Sequence, residues 1–124
     1  MTIKHTDTIK SVQEQFSTSY PYLKLQFYKK PHKDHDGSLK KDEVNGDVNI
    51  SELSGKTDDV TVSIESSVSV SELESTFEER AGLHVQVFRK SGDAWLQTSA
   101  TDHWSLAKHQ ERAAEAEGME HSNE

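Results

Sequence analysis

Two stretches of this chain carry the same apolar spacing, and that correspondence limits the possible folds more than any composition figure. In the first stretch, Ile9, Val12, Phe16 and Tyr20 recur at three- and four-residue steps, the period of one helical face. In the second, Val70, Leu73 and Phe77 do the same, and Ile9, Val12 and Phe16 fall on them at an offset of 61 residues. Each helix signal has a start, Asp7 or Thr8 in one case and Ser69 or Ser71 in the other. Each also has a stop: Pro21 forbids continuation of the first, and Gly82 can end the second.

A strand signal follows each helix. Leu23, Leu25 and Phe27 alternate with Lys24, Gln26 and Tyr28, and Leu83, Val85 and Val87 alternate with His84, Gln86 and Phe88. After a one-residue gap near Pro21, Leu23, Gln26, Tyr28, Lys29 and Lys30 fall on Leu83, Gln86, Phe88, Arg89 and Lys90 at an offset of 60. The matches Gln26/Gln86 and Lys30/Lys90 are polar identities that amphipathic patterning does not require. Ser91-Gly92-Asp93 turns the chain into a further strand near Ala94 to Thr98, and Val60, Val62 and Ile64 alternate as another. The expected fold is α+β: a duplicated helix-strand-strand unit forming a four-stranded antiparallel sheet, with two helices on one face and an approximate two-fold axis.

The remaining segments are polar. Residues 31–58, rich in Gly, Asp, Lys, Asn and Ser, read as a long flexible connection. Beyond the sheet, Trp104 and Leu106 are expected to anchor a short polar C-terminal helix rich in alanine, with 118–124 a disordered tail and 1–117 a single domain. Only 31% of residues are hydrophobic, so the core must be small. Asp and Glu number 22 against 14 Lys and Arg; the net charge of -8 makes the chain acidic and disfavours diffuse attraction to phosphate or anionic lipid. With no cysteine there can be no disulfide, thiolate metal site or cysteine nucleophile. No apolar stretch is long enough to span a membrane and residues 1–10 lack a signal-peptide hydrophobic region, so the expected location is cytoplasmic.

The segment Leu83-His-Val-Gln-Val-Phe-Arg-Lys-Ser-Gly92, continuing through Trp95-Leu-Gln-Thr98 and Thr101-Asp-His-Trp-Ser-Leu106, resembles a family of small uncharacterised bacterial α+β proteins. Phe16 with Pro21-Tyr-Leu-Lys-Leu25 is similar to the same family. The likeness covers the N-terminal third and residues 69–110. It implies a compact bacterial domain and brings no activity or functional residue with it.

Several patterns imitate chemistry. His32-Lys-Asp34-His-Asp36-Gly37-Ser38-Leu39 with Glu43 matches a calcium loop in part, but its first ligand position is His32, and a strand with Pro31 precedes it where a helix is required. An overlapping frame from Lys41 to Glu52, with Glu43, Asn45, Gly46 and Asp47, opens on a lysine. His32, His35, Asp34 and Asp36 have the right donor types for a transition metal but lie in a segment with no preorganisation. Glu72, Glu74, Glu78 and Glu79 read as a solvated helix face rather than an acid/base pair, and Asp102 as a turn or cap residue rather than a partner of His103. There is no nucleophile elbow, phosphate loop, dinucleotide fingerprint or zinc-protease motif. No enzymatic activity, metal or cofactor is expected.

Strand alternation supplies the candidate site. If Leu23, Leu25, Phe27, Leu83, Val85 and Val87 face the helices, then Lys24, Gln26, Tyr28, Lys30, His84, Gln86, Phe88 and Lys90 lie on the opposite face, and Trp95 joins them if the hairpin register allows. An open face of aromatic, amide and basic side chains suits a protein contact, with a partner protein or a second copy in a homodimer, unless the C-terminal helix itself covers Tyr28, Phe88 and Trp95. The alternative is a single-stranded nucleic acid, with Tyr28, Phe88 and Trp95 stacking and Lys30 and Lys90 on phosphates; the net charge argues against it. The function expected from sequence is therefore a non-catalytic protein-interaction module.

Overall fold

The computed structural model describes residues 1–29 and 40–122, the last five by backbone alone. The element order is β1 (Thr2–Ile3), α1 (Ile9–Ser19), β2 (Leu23–Tyr28), α2 (Ile50–Ser54), β3 (Val60–Thr61), α3 (Val70–Thr76), β4 (His84–Ser91), β5 (Ala94–Gln97) and α4 (Leu106–Ser122). A 3-10 turn, Lys40–Asp42, precedes α2, and another, Ser99–Thr101, precedes α4. The chain is α+β with antiparallel sheets, as its patterning implies.

Both amphipathic helices form where their apolar period runs, and both are capped by a hydroxyl. Thr8 Oγ1 accepts from Ser11 N at 3.2 Å, and Ser69 Oγ accepts from Glu72 N at 3.1 Å. Replacing Ser69 with alanine is expected to lower stability by about 1 kcal/mol, which a urea midpoint would register. The last turn of α3 widens over Phe77–Ala81, and the chain leaves it through Gly82 at φ +66°, a left-handed conformation that favours glycine.

The helix starts are joined in pairs. Ile9 N donates to Val48 O and Lys10 N to Gly46 O, while Ile50 N donates to Asp7 O and Ser51 N to His5 O. The first turns of α1 and α2 thus satisfy each other through the segments that lead into them. The same four-bond arrangement recurs between α3 and α4: Val70 N to Trp104 O, Ser71 N to Asp102 O, Leu106 N to Val68 O and Ala107 N to Ser66 O. Amides at a helix start have no partner within the helix, and here the facing chain supplies one.

The sheets correct the expected strand arrangement. A three-stranded sheet runs β2-β4-β5, with Leu23 opposite Arg89, Gln26 opposite Gln86, Tyr28 opposite His84, and Lys90 opposite Trp95. The fourth strand expected over Val60 to Ile64 does not join it. β3 pairs instead with β1 in a separate two-stranded sheet, and Met1 and Val62 exchange both main-chain hydrogen bonds beyond that pair. The two-residue length of β1 hid it from any period analysis.

The outer edge of β2 is closed by side chains and loop. Ser17 Oγ donates to Leu23 O, Gln13 Nε2 to Leu25 O, and Val44 N to Phe27 O. Asp42 and Val44 thus lie along β2, with Lys29 N donating to Asp42 O as well. Of the connection expected over 31–58, residues 31–39 lie outside the described residues, and the rest carries α2 and buries Val44 and Ile50 in the core. That core collects Ile9, Val12 and Phe16 of α1, Leu23, Leu25 and Phe27 of β2, Val85 and Val87 of β4 with Leu83 just before it, Val70, Leu73 and Phe77, and Leu106 of α4. Helix α4 continues to Ser122, past the boundary expected after Glu117.

Candidate functional site

The alternation of β2 and β4 points the expected residues to one face, but much of that face is not open. Tyr28 is 1% exposed, Gln86 0% and Phe88 8%. The expectation that these three present themselves to a partner is corrected: buried rings cannot stack on a base, and a buried amide cannot reach one. Alternation fixes which side a residue faces; it carries no information on what covers that side. Burial and the adjacent Glu43 carboxylate push the Tyr28 hydroxyl above its ordinary pKa, so it stays protonated. Gln26 is turned to the sheet edge, where its Oε1 accepts from Gln13 Nε2 at 2.7 Å and from Phe27 N.

The rest of the expected set divides. Lys24 Nζ lies 5.2 Å from the ring centroids of both Phe88 and Trp95, so hairpin register does bring Trp95 to this face. His84 is partly buried, with Nδ1 3.9 Å from Glu78. Lys90 Nζ lies 5.9 Å from the Tyr22 ring. Lys30 and the histidine-aspartate run from His32 to Asp36 lie outside the described residues. On α3, Glu74 is buried, not solvated as expected.

What remains exposed is β5. Trp95 is 37% and Leu96 45% exposed, adjacent residues on opposite faces of an edge strand. Lys90 donates its N–H to Tyr22 O, away from β5, so Trp95 opposite it directs its own main-chain groups outward from the sheet. Leu96 lies opposite Arg89 on the helix side.

Beyond Arg89 the sequence hid a second feature. The Trp104 ring has Lys108 Nζ 4.3 Å from its centroid, Arg112 at 5.6 Å and Arg89 at 5.7 Å, with the His109 ring 5.1 Å away at a 39° tilt. A groove of about 220 Å³ runs between the end of β4 and α4, lined by Arg89, Lys90, Ser91, Trp104, Arg112, Ala113 and Ala116. The sequence signal was the four-residue spacing of Trp104, just before α4, with Lys108 and Arg112 on one side of that helix; Arg89 joins them only through the fold.

Below Trp104, His109 is fully buried, and its Nε2–H donates to Thr101 O at 2.9 Å because a carbonyl can only accept. Burial, with Arg89, Lys108 and His103 nearby, lowers its pKa against the opposing pull of that hydrogen bond. The folded chain therefore refuses a proton that the unfolded chain accepts, and stability is complete above the ordinary value of 6.5 and falls as pH drops below it. The urea midpoint is expected to fall between about pH 7.5 and about pH 5.5, and His109→Gln to flatten that dependence.

Among the described residues no helix is long and apolar enough to cross a membrane. No family model, curated protein or solved structure matches the chain.

Proposed function

We propose that this chain is a non-catalytic protein-interaction module whose contact surface is the β5 edge with its flanking residues, rather than the broad sheet face. The observation that carries this reading is the pair Trp95 and Leu96: they are the exposed large hydrophobics among the described residues, and they share an edge strand with outward main-chain groups. Such an edge is a template for an added strand, in which main-chain hydrogen bonds supply affinity and alternate side chains supply selectivity. The outer edge of β2, by contrast, is closed by Gln13 and Ser17.

The test is an amide-shift titration of the labelled chain with a neutral, strand-forming Thr/Val peptide. Shifts are expected to gather on Ala94 to Gln97 and to disappear in Leu96→Lys, a surface change expected to move stability by no more than about 0.5 kcal/mol. Shifts spread over the molecule, or retained in the variant, would remove β5 as the contact. A single-strand nucleic-acid module is the second reading; it retains Trp95 and Lys24 as a stacking and phosphate pair.

The duplicated unit belongs to the same proposal. In an antiparallel pairing of two repeats, only the pair on the two-fold axis can face its own equivalent. Gln26 faces Gln86 in the large sheet, and Met1 faces Val62 across the small one, at the offsets of 60 and 61 read from the sequence. The twice-used arrangement at the helix starts supports it further, placing Val48 and Trp104 in the same main-chain role.

A further inference from the structure

We infer that the groove between the end of β4 and α4 binds a carboxylate-rich segment of a partner protein, with Arg89 and Arg112 as the carboxylate-binding residues and Lys90 and Lys108 reinforcing them. The inference rests on the reading of the chain as a protein-interaction module and names the chemistry of the partner.

The first argument is concentration of charge. The chain has a net charge of -8 and only three arginines, yet two of them line one groove with Lys90, and Lys108 stands over the same indole. Among the described residues the ion pairs join His5 to Asp59 and His84 to Glu78, and neither involves these four cations. Guanidinium groups present paired donors matched to a carboxylate, and the indole between them holds them in place without neutralising them.

The second argument is asymmetry. Val48 and Trp104 use the same main-chain carbonyl to satisfy the first amide of a helix, so that role does not demand tryptophan. Arg89 aligns with Lys29. Helix α2 ends at Gly55, at φ +71°, before it could supply counterparts of Arg112 and Ala116, whereas α4 runs on to line the groove. The halves agree where the backbone needs agreement and depart from each other around this groove.

The third argument selects among anions. Lys108 and the His109 ring both lie against the Trp104 indole, at 4.3 Å and 5.1 Å from its centroid, so it offers no free platform for a nucleobase. What it leaves accessible are the donors at its rim. Leu96, opposite Arg89, extends this rim to β5, so one acidic strand laid along β5 would bring its carboxylates to the arginines.

The experiment is an amide and indole shift titration of the labelled full chain with a short polyglutamate peptide, a polylysine peptide, inorganic phosphate and oligo-dT, at low and high salt. The expected result is saturable shifts at Arg89, Lys90, the Trp104 indole N–H and Arg112 with polyglutamate only, weakened by salt. Arg112→Gln, an exposed replacement, is expected to weaken that binding roughly tenfold, as loss of one charge-assisted hydrogen bond implies, and Arg112→Lys to restore part of it. Stronger response to oligo-dT or to phosphate overturns the inference, as does binding unaffected by Arg112→Gln. If polyglutamate leaves the groove silent while the Thr/Val peptide still shifts β5, the acidic partner is wrong and the edge-strand reading stands. If both are silent, both fail.

Discussion

Replacing Phe77 with alanine is expected to lower the free energy of unfolding by about 3–5 kcal/mol, the range for truncating a buried phenylalanine. Its ring is fully buried and meets Phe27 edge-on, with centroids 5.7 Å apart at 86°. The site cannot collapse easily, because Phe77 opens the widened last turn of α3 and Phe27 is held in β2 by the β4 ladder on one side and Val44 on the other. Domains of this size are stable by about 5–15 kcal/mol, so the variant should fold only marginally. A urea titration followed by tryptophan fluorescence measures the loss; a change below about 1 kcal/mol would mean that Phe77 does not anchor the core as described.

Leu106→Ala is the second large effect, expected at about 2–5 kcal/mol, and it should be distributed differently. Leu106 is the first residue of α4, is fully buried, and donates its N–H to Val68 O. Its side chain ties α4 to the shared core, with buried His109 and Ala113 following it along the helix. Hydrogen exchange is therefore expected to accelerate first in α4 and in the Trp104 segment, with β2 and β4 amides remaining protected longest. Uniform acceleration would show instead that α4 unfolds only with the whole domain.

The parts of the fold visible in the sequence were those whose signal spans at least two turns or several alternations. α1 was readable from Ile9, Val12 and Phe16, α3 from Val70, Leu73 and Phe77, and the β4–β5 hairpin from alternation ending at Ser91-Gly92-Asp93. α2 was not, because five residues ending at Gly55 complete little more than one turn and its stability comes from α1's approach segment. β1, at two residues, has no period to read; the alternation of Val60, Val62 and Ile64 did mark β3, but its pairing with β1 carries no local signal. The candidate face was legible as a direction: Lys24, Phe88 and Trp95 do meet. Its openness was not, since burial of Tyr28 and Gln86 depends on the tertiary surroundings. The groove at Trp104 needed α4 docked beside β4, a contact between segments that no local window joins.

The β2–β4 ladder joins Tyr28 to His84 and Leu23 to Arg89, across nearly half the chain, while β4 and β5 are connected by a tight turn. The order of assembly follows from the entropy of closing those two loops. The hairpin can form early, on its own, in about 1–10 μs, whereas β2 must wait for a long closure that its own contacts do not reward until the ladder is complete. Substitutions in the hairpin would then slow refolding, and those in β2 would chiefly hasten unfolding. Until β2 arrives, β4 exposes an edge of its own, which makes dilute refolding the safer route to the folded chain.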